Sequence, residues 1–171
     1  MALGRWEPYV ANLVRSRPRT ETFVDVGAHI GYHAQAAADS GRRVIAVEPD
    51  PRNLVFLRRN LARRNAAILP VACGESESWQ SFDIAKNPLY SRLGIQKGLR
   101  VPVLPLDLIL AKVEGPTLLK IDVEGHGSQV IHGGMSFIRR EKPDIIMEGA
   151  VDLPEYVRSE LVLGYYFYTP E

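Results

Sequence analysis

Thr22-Phe23-Val24-Asp25-Val26-Gly27-Ala28-His29-Ile30-Gly31 runs from an apolar strand signal straight into two glycines. Phe23, Val24 and Val26 suit a strand buried on both faces of a parallel sheet. Gly27 permits a sharp turn and lets another group approach where a Cβ would stand. Gly31 suits the place where the following helix packs closely. Val44-Ile45-Ala46-Val47-Glu48 is a second buried strand that ends in an acid. Strand, glycine turn, helix, strand and acid form the first half of a nucleotide-type site on a doubly wound sheet.

The glycine spacing narrows the ligand. A dinucleotide fingerprint reads G-x-G-x-x-G and seats a diphosphate on a helix N-terminus. Here Asp25 occupies the first glycine position. An acid there repels a diphosphate, which disfavours a nicotinamide oxidoreductase, but it can hold a cationic ligand. S-adenosylmethionine is such a ligand, with a sulfonium, an ammonium and no phosphate. Asp25, Gly27, Ala28, His29 and Gly31 are expected to line its methionine end. Glu48, followed by Pro49, stands where an acid accepts hydrogen bonds from ribose hydroxyls. Ala72 and Cys73, at the end of a third strand, are expected to border the adenine.

Composition excludes several classes. The 171 residues suit one domain with a proper core. A net charge of +1 with 24% charged residues gives no global pull toward nucleic acid or a membrane surface. Arg52, Arg58, Arg59, Arg63 and Arg64 share one helix; without an aromatic-and-basic stripe they read as a solvated face, the alternative being a site for an anionic acceptor such as nucleic acid or a phosphorylated glycan. The single cysteine, Cys73, rules out an intramolecular disulfide framework and fits a reducing compartment. No run approaches the ~20 apolar residues of a membrane span. The start, MALGRWEPYV, has no signal-peptide hydrophobic region, so a cytoplasmic location is expected.

Helical and strand signals alternate along the chain. Residues 3–16 read as a helix, 22–26 as a strand, 31–40 as a helix stopped by Gly41, and 43–48 as a strand. Pro51 opens a helix to about Asn65, and 67–72 form a strand. Residues 78–84 and 100–104 read as strands around an irregular stretch, 85–99, and 106–112 as a short helix. Then come a strand at 117–122, a helix at 127–140, a strand at 144–148, a helix at 153–161 and a last strand at 164–169. Such alternation implies a mainly parallel sheet covered on both faces, with ligands beyond the carboxyl ends of the strands. The domain divides into an N-terminal helix (1–19), a core (20–76 and 113–171) and an insertion (77–112). Trp79, Tyr90 and Arg92 lie in or beside the irregular stretch, which is expected to act as an acceptor lid.

A second segment, Leu118-Leu119-Lys120-Ile121-Asp122-Val123-Glu124-Gly125-His126-Gly127, sends a hydrophobic strand into two acids and a histidine. In a methyl transfer the acceptor oxygen attacks in line, and an acid or histidine can orient the hydroxyl and take its proton. Asp122, leaving the strand edge, is the first choice for that role, with Glu124 and His126 in support. The same groups could instead cap the following helix or hold a divalent cation. The reading adopted assigns no metal.

The sequence resembles the FkbM-type S-adenosylmethionine-dependent methyltransferases of the class I Rossmann-like fold. The resemblance rests on ordered blocks: Asp25-Val26-Gly27-Ala28-His29-Ile30-Gly31-Tyr32, Val47-Glu48-Pro49, Asn60-Leu61, Val71-Ala72 and Val103-Leu104-Pro105-Leu106-Asp107. They continue with Leu119-Lys120-Ile121-Asp122-Val123-Glu124-Gly125, Ile131-His132-Gly133-Gly134 and Pro143-Asp144-Ile145-Ile146-Met147-Glu148. Together they span roughly residues 20 to 150. The resemblance implies methyl transfer to hydroxyls of sugars, glycans or other small molecules, with S-adenosylhomocysteine as product. An RNA methyltransferase and a non-catalytic S-adenosylmethionine-binding module are the alternatives.

The chain departs from the family at three places. His29 stands where asparagine is common, and Gly127 where an acid is usual. The sheet is also expected to lack the seventh, antiparallel strand of the class. An open sheet edge would follow, and homodimerisation is one way to cover it.

Overall fold

The computed structural model describes residues 8–16, 22–83, 92–93, 98–153, 156–160 and 165–170. In chain order the elements begin with α1 (Pro8–Ser16), β1 (Thr22–Val26), α2 (Tyr32–Asp39), β2 (Arg43–Val47), α3 (Pro51–Asn60) and β3 (Ala66–Leu69). A second group follows: β4 (Ala72–Cys73), β5 (Ser78–Asp83), β6 (Arg92–Leu93), β7 (Leu99–Leu104) and α4 (Leu106–Ile109). The chain continues with β8 (Thr117–Ile121), α5 (Gly127–His132), α6 (Met135–Glu141), β9 (Asp144–Glu148), β10 (Tyr156–Glu160) and β11 (Tyr165–Pro170).

The main sheet has seven strands in the order β10-β11-β9-β8-β1-β2-β3. β3, β2, β1, β8 and β9 run parallel, and β11 lies antiparallel between β9 and β10. β1 and β8 are buried at every position, as their near-continuous apolar sequences require for a sheet covered twice. Alternation divides the side chains between two cores. Phe23, Val44, Leu118, Ile146 and Tyr165 pack with Val10, Ala34 and Leu57 on the face of α1, α2 and α3. Val24, Ile45, Leu119, Ile145 and Tyr168 pack with Leu106, Val130 and Phe137 on the face of α4, α5 and α6.

The local signals for α3 act as the sequence predicts. Asp50 is its N-cap, accepting from the Arg52 amide at 2.8 Å, and Pro51 sits at the first helical position. The segment expected as one helix over 127–140 is two, α5 and α6, divided at Gly133-Gly134. A Cβ on Gly133 would strike the Gly74 carbonyl, so the pair brings the β4 end close. Asp107 caps α6 by accepting from the Ser136 and Phe137 amides at 3.2 and 2.7 Å. The strand expected over 67–72 is also two pieces. β3 belongs to the main sheet, and β4 joins β7, β5 and β6 in a separate four-stranded sheet.

The C-terminal expectation is overturned. The helix expected over 153–161 is replaced, among the described residues, by a strand: 156–160 is β10, paired along its length with β11. The seventh, antiparallel strand is therefore present, and β10 covers the edge of β11 that the sequence reading leaves open. The spacing of Leu153, Val157 and Leu161 imitates a helical stripe, but pairing with the tyrosine-rich strand decides the conformation. In the insertion, Trp79 is exposed on β5, whereas Tyr90 and most of 85–99 lie outside the described residues.

Candidate functional site

The carboxyl ends of β1, β2 and β8 and the loops after them carry the predicted residues, except Ala72 and Cys73, which lie in β4 of the second sheet. The Gly27 and Ala28 amides both donate to the Val47 carbonyl at 3.0 Å, tying the first turn to the end of β2. Asn60 reaches back from α3 to donate to the Ile30 carbonyl at 2.8 Å. Gly27 has φ +80°, and a Cβ there would collide with the Asp122 carbonyl. The group that approaches Gly27 is thus the chain's own backbone after β8. Gly31, at φ +85°, leaves room for Leu57 of α3. His29 is a non-glycine residue at φ 51°. Histidine tolerates that region better than most residues.

Glu48 is buried and braces this turn. Its Oε2 accepts from the His29 amide at 2.8 Å. Its Oε1 accepts from the Asp50 amide at 2.9 Å and Asn53 Nδ2 at 3.1 Å. Burial raises the Glu48 pKa, and these hydrogen bonds counter the rise. A carboxylate has about four acceptor positions, so one direction on Oε2 carries no hydrogen bond from the described residues. Pro49 follows, half-buried. Ala72 and Cys73 are buried in β4, and burial pushes the Cys73 thiol up to about 12, which keeps it protonated.

A row of polar groups crosses four strands on the α1–α3 face. Asp25 pairs in register with Lys120, one strand over. Lys120 Nζ lies 3.4 Å from Asp25 Oδ1 and 3.1 Å from Asp122 Oδ2, and Lys120 and Asp25 are 2% and 1% exposed. Tyr165 Oη donates to Asp122 Oδ2 at 2.7 Å. The register Ile121 to Met147 carries Asp122 alongside Glu148, which itself pairs with Tyr165. Burial works to raise the Asp122 pKa, but Lys120, the Tyr165 hydroxyl and Glu148 outweigh it and hold the carboxyl at about 2. Desolvation and the negative charge and hydrogen bond of Asp122 push Glu148 up to about 7.

Two buried polar atoms of this region have no partner among the described residues, Asp25 Oδ2 and His29 Nε2. Burial lowers the His29 pKa against the pull of Asp50 and Asp122, so its ring is neutral at pH 7. A spare carboxylate oxygen and a neutral imidazole nitrogen suit the ammonium and carboxylate of an amino acid. Two carboxylates against one ammonium also leave the row negative, which suits a sulfonium.

Glu124 is exposed on the loop after β8, and its charge contributes to raising Glu148. His126 is half-buried at the N-cap of α5, with its amide donating to the Val123 carbonyl at 2.7 Å. Among the described residues no group of three or more His, Cys, Asp or Glu side chains is arranged to hold a metal ion. Also among them, no helix is long and apolar enough to cross a membrane. Sequence reasoning leaves Lys120, Tyr165 and Glu148 without roles. A lysine between apolar neighbours in a fully buried strand is the signal that finds the first, and the sheet register supplies the others.

Comparison with known proteins agrees with this geometry. Hexuronic acid methyltransferase AglP of Haloferax volcanii is 25% identical over 127 residues, 71% of this chain and 53% of that protein. An uncharacterized methyltransferase of Mycobacteroides abscessus is 56% identical over 94 residues, 48% of this chain and 36% of that protein. The chain thus spans about half or less of the curated relatives it matches. Among solved structures, Methyltransferase FkbM from Methylobacillus flagellatus superposes with a TM-score of 0.63 at 21% identity, covering 88% of this chain and 44% of the other. The S-adenosylhomocysteine-bound Podospora anserina methyltransferase PaMTH1 superposes with a TM-score of 0.60 at 10% identity, covering 96% and 77%. These neighbours share the class I methyltransferase fold. The methyltransferase FkbM domain matches residues 25–161, most of the chain, and the chain belongs to that family.

Proposed function

We propose that this chain binds S-adenosylmethionine and moves its methyl group to a hydroxyl oxygen of a sugar, glycan or other small molecule. The observation that carries the reading is the buried Asp25–Lys120–Asp122 row beside the glycine turn, with Asp25 Oδ2 and His29 Nε2 lacking partners. Family membership and the hexuronic acid methyltransferase relative support the reaction and favour a sugar.

When bound, S-adenosylmethionine supplies a methyl group on a sulfonium that is already a reactive donor. Asp25 and His29 would hold the amino-acid end, and Glu48 would take one ribose hydroxyl on the free direction of Oε2. The Gly27 turn, packed against the Asp122 backbone, would border that end. The excess negative charge of the row favours the cationic cofactor over its neutral thioether product, which aids release after transfer.

Calorimetric titration tests the cofactor: S-adenosylmethionine should bind and NAD should not. Tight NAD binding without S-adenosylmethionine binding would refute the reading. S-adenosylhomocysteine release against a panel of hydroxylated sugars, glycans and polyketides, with RNA as control, tests the acceptor class. Release driven by RNA alone would replace it.

A further inference from the structure

We propose that Glu148 is the base that takes the proton of the acceptor hydroxyl, with Asp122 as the carboxylate fixed beside it. The inference rests on the methyl-transfer reading and names the residue for one step of it.

Asp122, the first choice from sequence, is badly suited to the task. Its Oδ2 already receives hydrogen bonds from Lys120 and Tyr165. A carboxylate held at about 2 has little affinity for a proton at neutral pH. Glu148 is the opposite case. It ends β9 beside Asp122 and is exposed, where an acceptor can reach it. The charged groups that face it are Asp122 and Glu124, which raise its proton affinity, and Lys120, which opposes them. Burial of part of the carboxyl is the largest cause of the rise, ahead of these charges, and together they push Glu148 up to about 7, where a general base is most effective. The division follows the pattern of paired carboxylates whose environments drive their proton affinities apart.

The step balances without another reactant. The acceptor oxygen forms a C–O bond to the methyl carbon as the C–S bond breaks, and that bond pair remains on sulfur. The hydroxyl proton passes to the Glu148 carboxylate, which later loses it to solvent. A carboxylate acceptor has no proton to lose, so a base at this position favours a hydroxyl on a sugar over its acid group.

The test has two readouts. Protein labelled with 13C-glutamate, with Glu148 assigned by its loss in Glu148→Gln, gives the titration of this side chain without cofactor or acceptor. A midpoint near 7 that moves to lower pH in Asp122→Asn supports the pairing. A midpoint in the ordinary glutamate range, or one that Asp122→Asn does not move, overturns it. The second readout is S-adenosylhomocysteine release with the acceptor panel. Wild type should gain activity as pH rises through the same midpoint. Glu148→Gln should lose about 100-fold or more and that pH dependence, while keeping its affinity for S-adenosylmethionine. Unchanged rate and profile in Glu148→Gln overturn the base and leave methyl transfer standing. Equal loss of cofactor affinity makes Glu148 a binding residue and also overturns it. No release by wild type that binds S-adenosylmethionine overturns the methyl-transfer reading, and the base with it.

Discussion

Replacing Lys120 with methionine keeps most of the side chain's volume and removes its charge together with its hydrogen bonds to Asp25 and Asp122. Lys120 Nζ stands 3.4 Å from one carboxylate oxygen and 3.1 Å from another, at a site 2% exposed. At an effective dielectric of about 20, each contact is worth about 5 kcal/mol. Burying the ammonium costs several kcal/mol in return, so the intact row is close to neutral for stability. Breaking it is different. Asp25 remains 1% exposed with no cation beside it, and a buried pair that loses one partner costs about 3–5 kcal/mol. That is a large part of the ~5–15 kcal/mol that holds a domain folded.

The pH dependence separates charge from packing in this variant. In the wild type, Asp122 is lowered from 3.8 to about 2, so its contribution is present above 3.8 and is lost as pH falls through 2. Without Lys120 the desolvation of Asp122 is unopposed by a cation, and its pKa rises. The carboxylate is then disfavoured in the folded state as pH climbs above the unfolded value. Urea unfolding followed by circular dichroism should therefore show the full 3–5 kcal/mol deficit at pH 7 and a smaller one near pH 4. Adding Asp25→Asn should recover part of the loss at pH 7. A deficit below about 1 kcal/mol, or one equal at both pH values, would refute the buried-charge argument.

Substitutions at Gly27, Glu48 and His29 probe the turn. Gly27→Ala should cost at least ~2 kcal/mol more in thermal unfolding than Gly125→Ala; both have φ near +80°, but only Gly27 faces the Asp122 carbonyl. Equal costs would mean that the approach to Asp122 is unimportant. Glu48→Ala should lose roughly 2–4 kcal/mol of stability, because it leaves the buried His29 and Asp50 amides and Asn53 without their acceptor. It should also bind S-adenosylmethionine at least tenfold more weakly by calorimetry, about 1.4 kcal/mol; weaker binding at unchanged stability would assign Glu48 to the ribose alone. His29→Asn should melt within about 0.5 kcal/mol of wild type, whereas His29→Val should lose more than ~1 kcal/mol, since φ 51° excludes a β-branched residue. A tolerated valine would contradict the strain assigned to this turn.

The readable parts of this fold are those where local signals and burial agree. β1 and β9 match their predicted bounds because apolar runs flanked by turn residues have no competing reading. The Asp50–Pro51 start of α3 is written in the cap itself. β10 was illegible because an edge strand takes its conformation from a partner far along the chain. Val157 is 56% exposed, so no buried alternation marks it as a strand. The division of α5 from α6 depends on Gly74 pressing against Gly133, again a contact between distant segments. In the site, the glycines and Glu48 were visible as motif positions, but their duties were not. Gly27 admits the Asp122 carbonyl, and most of Glu48 is spent on the turn.

Lys120 carries the same lesson into chemistry. An apolar residue at its position, with neutral partners, would stabilise a doubly covered sheet at least as well as the ion row does. The row therefore has no evident purpose in folding. Its effect is electrostatic: Lys120 and Tyr165 both donate to Asp122 Oδ2 and favour its anion. That anion then does two things at the strand edge. It faces the region expected to hold a sulfonium, and it denies Glu148 an easy loss of its proton. A single buried lysine can thus set two carboxylates to different tasks, one permanently charged and one exchanging a proton near neutral pH. Local violations of core rules gather where function requires them, and in this chain the violation is Lys120, with Asp25 opposite it, in strands buried at every position.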